Sequence, residues 1–116
     1  MELNKKIIEV LENDDIKVYD VCEQDGQFYI ELEHYTPAGE DFVFLIWFDG
    51  TNEGFIDKFY EYYQCFDVDE EASIFIENRG NNGIPSSVRT ILEDQEYKEE
   101  FLHNVGKELN NLDLYD

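Results

Sequence analysis

The run Asp67-Val68-Asp69-Glu70-Glu71 sets carboxylates at alternate positions, which is how a calcium-binding loop begins. Such a loop needs glycine at its sixth position and a bidentate glutamate at its twelfth. Here those positions hold Ala72 and Asn78, so the run reads as an acidic loop and not as a metal site. His34 and His103 fall on different predicted elements with no ligand at zinc spacing. Cys22 and Cys65 each lie in an apolar pattern and read as reduced core thiols, and nothing local pairs either with His103 as a nucleophile. Ser73, Ser86 and Ser87 lack the glycine frame of a nucleophile elbow, and Gly80-Asn81-Asn82-Gly83 is not followed by the lysine of a phosphate loop. No catalytic, cofactor or metal residue is assigned, and the chain is not expected to be an enzyme.

What remains is the charge. Twenty-nine Asp and Glu against eight Lys and Arg give −21, far beyond the magnitude of about 2–8 that keeps a small domain soluble. Such a field repels nucleic acid and anionic membranes and draws in basic surfaces. Its distribution is uneven. Between Val18 and Asp57 there is no Lys or Arg, yet Asp20, Glu23, Asp25, Glu31, Glu33, Glu40, Asp41, Asp49, Glu53 and Asp57 all occur there. Glu31 and Glu33 are two apart on one side of a predicted strand, about 6.6–6.8 Å along it. Glu96, Glu99 and Glu100 have the i, i+3, i+4 spacing that makes helix neighbours about 5–6 Å apart. Carboxylates this dense can occupy a site built for phosphates, which follow one another at about 3.4 Å per strand of duplex. The expected contact groups are Glu31, Glu33, Glu40, Asp41, Asp67, Asp69, Glu70 and Glu71.

The elements that must position these groups follow from periodicity. The 116 residues fit one domain, residues 1–116. With 42% hydrophobic and 16% aromatic residues, the chain has ample material for a core. The longest apolar run, Phe42–Phe48, falls far short of the roughly 20 residues of a membrane span. With no signal segment at its start, the chain is expected in the cytoplasm. Leu3, Ile7, Val10 and Leu11 predict a helix over 3–12. Ile16–Cys22 alternates as a strand, and Asp25-Gly26 turns it into a second one carrying Phe28, Ile30 and Leu32 on one face. Phe42–Phe48 is apolar on both faces, as in a strand covered on both sides or lying at a partner surface. Phe55, Phe59, Tyr62, Tyr63 and Phe66 predict an aromatic helix over 53–65. Ser73–Glu77 reads as a fourth strand with Ile74 and Ile76 inward. Ser86 or Ser87 caps a last helical stretch, with a break near Glu93–Gln95 where Asp94 caps a second segment. The predicted fold is α+β, an antiparallel sheet of about four strands with helices on one face, in the order α-β-β-β-α-β-α(α).

The segments Thr36-Pro37-Ala38-Gly39-Glu40-Asp41-Phe42, Phe66-Asp67-Val68-Asp69-Glu70-Glu71 and Gly83-Ile84-Pro85-Ser86-Ser87 resemble small acidic proteins of phages and conjugative elements of Gram-positive bacteria. That resemblance spans about residues 36–110 and carries no functional residues with it. In charge and size the chain is similar to DNA-mimic inhibitors, the anti-restriction and anti-CRISPR proteins. The similarity implies a non-enzymatic inhibitor that offers carboxylates to the basic groove of a CRISPR effector or restriction enzyme, binding neither nucleic acid nor membrane itself. The alternative is an accessory interaction module of a mobile element, which holds a basic partner through an aromatic surface.

Overall fold

The structure, a computed structural model, describes residues 1–115. Its elements run α1 (Lys5–Asn13), β1 (Lys17–Val18), β2 (Cys22–Gln24), β3 (Gln27–Tyr35), β4 (Asp41–Phe48), α2 (Asn52–Cys65), α3 (Val68–Glu77) and α4 (Val88–Asn110). The class is α+β, with a four-stranded antiparallel sheet whose helices pack on one face. β3 is the axis of the sheet. β1 and β2 pair with successive parts of one side of it, and β4 pairs along the other. Asp25 and Gly26 join β2 to β3 with positive φ values of 52° and 81°. That two-residue turn matches the twist of the strands it joins.

The predicted strand Ile16–Cys22 is broken in two by a bulge. Lys17 lies opposite Glu33 and Val18 opposite Leu32, but Cys22 lies opposite Tyr29. Tyr19, Asp20 and Val21 therefore face only Ile30 and Glu31, one residue too many for a regular ladder. Side chains alternate with a period of two, so the extra residue moves β2 to the opposite face. Unbroken alternation would put Cys22 with Ile16 and Val18 on the core side; the bulge leaves it exposed. Cys65, at the end of α2, is exposed as well, so neither cysteine is a core thiol.

The acidic run and Ser73–Glu77 are together one helix, α3, and not a loop followed by a strand. The Asp67 side chain caps it by accepting from the Glu70 N–H (3.1 Å), and Asp69, Glu70 and Glu71 fill its first turn. Negative charge there meets the positive end of the helix dipole. Ala72 is buried, Val68, Phe75 and Ile76 are half-buried, and Ile74, expected inward, is exposed. The last helix is also continuous. Asp94 does not cap a second segment, because its carboxylate accepts the Thr36 hydroxyl (2.9 Å) beneath the β3–β4 turn.

One core joins Ile7 and Leu11 of α1, Leu32 and Phe44 of the sheet, Phe55 and Phe59 of α2, and Leu102 and Leu109 of α4. Each such fully buried side chain contributes about 1.5–3 kcal/mol. Lys98 of α4 lies inside this apolar setting at 2% exposure. Its ammonium donates to Glu40 at 2.6 Å and sits over the rings of Phe42 (4.5 Å), Phe75 (5.1 Å) and Phe66 (5.7 Å). His34, also buried, is held at both nitrogens. Nδ1 donates to the Asp15 carbonyl (3.1 Å), Nε2 accepts from the Tyr97 hydroxyl (2.7 Å), and the ring stacks on Phe101.

Beside the end of α1, Asp14 Oδ2 is buried and no N–H or hydroxyl group donates to it. When protonated, the Glu108 carboxyl of α4 supplies a donor. The hydrogen bond to Asp14, partial burial and the Asp14 charge push the Glu108 carboxyl up to about 7.

Two predictions follow from these contacts. Glu40→Ala, which strands the buried ammonium, is expected to cost about 3–5 kcal/mol in urea unfolding, while Glu40→Met with Lys98→Met recovers most of that loss. A carboxyl raised in the folded state stabilises below its unfolded value near 4.5 and loses that contribution as pH rises through about 7. Asp14→Asn should therefore raise the melting temperature relative to wild type more at pH 8 than at pH 5. A difference that does not change with pH would rule out the shared proton.

Candidate functional site

The β4 side chains alternate strictly. Phe42, Phe44, Ile46 and Phe48 enter the core, whereas Val43, Leu45 and Trp47 face outward at 45%, 40% and 40% exposure. On β3, Ile30, Leu32 and His34 point in while Tyr29, Glu31, Glu33 and Tyr35 point out. Register sets these outward residues side by side as Tyr35 with Asp41, Glu33 with Val43, Glu31 with Leu45 and Tyr29 with Trp47. The open face of the sheet is thus an apolar stripe on β4 beside a carboxylate pair on β3, with an aromatic residue at each end of the β3 row. Tyr29 and Trp47 lie against each other, ring centres 4.7 Å apart and tilted by 38°.

β1 and β2 complete the face. Lys17 pairs with Glu33 across the strands, its ammonium stands 4.9 Å over the Tyr19 ring, and the Tyr19 hydroxyl donates to Glu33 (3.2 Å). Carboxylates outnumber the one ammonium on this face. The Asp41 charge first, then that of Glu33, pushes the Tyr35 phenol up, and Tyr29 is raised by its hydrogen bond and proximity to Cys22. Lys17 is also raised, mainly by Tyr19 and further by Glu33.

The eight expected contact groups do not form one surface. Glu31, Glu33 and Asp41 share the open face. Glu40, next to them in sequence, is held internally by Lys98, with Gln95 donating to it at 3.4 Å. Asp67 is engaged as the cap of α3, a helix that packs on α4 and not on the sheet. Asp67 and Asp69 line a second acidic surface with Glu96 and Glu99 of α4, around the exposed Cys65. Glu70 is exposed and Glu71 half-buried on α3.

The expected contact groups did not include the apolar stripe, although its signal was present: a strand apolar on both sides in a chain whose helices cover one face only. They also treated Glu40 as free, although Asp94, Gln95 and Lys98 recur at helical spacing with Ile91, Leu102 and Val105 and so lie on the inward face of α4.

Other concavities are less organised. A hollow of about 630 Å³ between α1 and the bulge is lined by Leu3, Ile8, Val18 and Val21, with Glu2 and Asp20 at its polar side. Among the described residues no three His, Cys, Asp or Glu are grouped to hold a metal ion, and no helix is long and apolar enough to cross a membrane. Compared with protein-family models, curated proteins and solved structures, the chain has no match in any of the three.

Proposed function

We propose that this chain is a non-catalytic binding protein that docks a basic partner protein on the open face of its sheet. The observation that carries this reading is the exposed row Val43, Leu45 and Trp47, bordered by Glu31, Glu33 and Asp41. An apolar patch rimmed by charge is what an interaction surface looks like, since scattered apolar residues need no partner but contiguous ones do. The arrangement divides the work. The aromatic and aliphatic centre supplies affinity, and the carboxylates select a basic partner and speed its approach. A nuclease or other nucleic-acid-handling protein of the kind expected above has such a surface.

Pure phosphate mimicry fits this face less well, because a backbone surrogate calls for carboxylates where β4 presents hydrocarbon. It has one observation of its own, the second acidic surface formed by Asp67, Asp69, Glu96 and Glu99.

The two readings separate in one experiment. The immobilised chain is exposed to lysate of a Gram-positive host with and without excess duplex DNA. Retention of a basic protein that survives the DNA, and is lost in Trp47→Ala but kept in Asp67→Asn/Asp69→Asn, supports docking through the sheet. The reverse pattern supports mimicry. For the protein so retained, Trp47→Ala is expected to weaken affinity about thirtyfold, equivalent to a hot-spot loss of about 2 kcal/mol. Glu31→Gln/Glu33→Gln should mainly slow association and flatten its salt dependence.

A further inference from the structure

The docking face ends at β4, an edge strand that pairs with β3 alone. Which of its main-chain groups are free follows from the preceding turn. The Thr36 N–H donates to the Glu40 carbonyl (3.0 Å), so these two residues form a hydrogen-bonded pair. Antiparallel pairing alternates from there. Phe42, Phe44, Ile46 and Phe48 bond to β3, while Val43, Leu45 and Trp47 turn their N–H and C=O groups away from it. The other side of β3 agrees: Glu31, opposite Leu45, accepts from the Tyr19 N–H (3.2 Å) on the far side. Among the described residues no strand, turn or cap supplies a backbone hydrogen bond to Val43, Leu45 or Trp47.

The same three residues expose their side chains on the open face. Each offers a donor, an acceptor and an apolar group in line, which are the needs of an added strand: main-chain bonds for affinity and alternate side chains for specificity. Sheets usually protect an edge with Lys, Pro, a bulge or a very short strand. β4 is eight residues long and has none of these; its only charge, Asp41, is its first residue, and Asp49 follows its last.

We infer that β4 receives an extended basic segment of the partner as a fifth strand of the sheet. Charge selects the occupant. A second copy would bring −21 against −21, whereas a segment carrying Lys or Arg meets Asp41 and Asp49 at the two ends of β4 and Glu31 and Glu33 behind it. The inference rests on the proposed docking face and specifies how that face is used.

The test uses the full chain and a synthetic alternating Lys-Val peptide as long as β4, at low salt, with amide hydrogen exchange as the readout. In the free chain the amides of Val43, Leu45 and Trp47 should exchange quickly while Phe44 and Ile46, between them, are protected. With peptide, all five should be protected, the first three slowing at least tenfold. A fully N-methylated peptide, which cannot complete the ladder, should bind at least tenfold more weakly. Equal binding of both peptides without protection at Val43, Leu45 and Trp47 would overturn strand addition and leave the docking face standing. Absence of binding by either peptide would overturn both. Concentration-dependent protection of these amides in the free chain would overturn the basic segment in favour of a second copy.

Discussion

The Lys98 ammonium ties the β3–β4 turn and α3 to the edge of a core that β4, α2 and α4 share. It draws the β3–β4 turn to α4 through Glu40, and the rings around it belong to β4 (Phe42), the α2–α3 junction (Phe66) and α3 (Phe75). α3 is short and packs on α4, and Phe75 brings it into this cluster as well. A buried cation is costly to desolvate, and neither partner suffices alone. The carboxylate offsets the charge, and the three ring faces surround it with a weakly attractive wall. With α1, α2 and α4 all drawn to the inner face, the helices leave the other face bare.

That bare face explains a second oddity. A sheet open on one side normally alternates apolar and polar residues, with the polar set facing water. β3 obeys this with Glu31 and Glu33, and β4 does not. An uncovered apolar stripe on an edge strand invites self-association, and the excess negative charge of the chain opposes it, since like-charged molecules keep apart within a screening length of about 10 Å at 0.1 M salt. The charge that appeared in the sequence to be the whole functional signal is therefore, in part, what lets an apolar surface remain exposed.

Much of the fold was legible because it rests on local rules. The helical stripes of α1 and α2, the Asp25-Gly26 turn and the Ser87 cap each declare themselves within a few residues. The misread parts depend on distant neighbours or on competing local signals. Ile74 and Ile76 favour a strand by type, yet the Asp67 cap and the spacing of Ala72 with Phe75 and Ile76 make a helix that only α4 completes. Asp94 resembles a cap until Thr36 is seen above it. The candidate site was half legible. Glu31, Glu33 and Asp41 were placed by alternation, but whether Phe42–Phe48 was covered once or twice depended on where every helix packs.

The bulge between Val18 and Cys22 has its own lesson. It absorbs one surplus residue without disturbing the register of β2 against β3. Removing one residue from Tyr19-Asp20-Val21 would restore a regular ladder in which Cys22 still lies opposite Tyr29 and faces outward, because two residues give by plain alternation the facing that three give only through the bulge. Exchanging any of the three for another residue would leave the facing of β2 untouched. The facing of β2 is thus held by the Asp25-Gly26 turn and the pairing with Tyr29, and the segment before it is slack that can lose a residue without turning a side chain over.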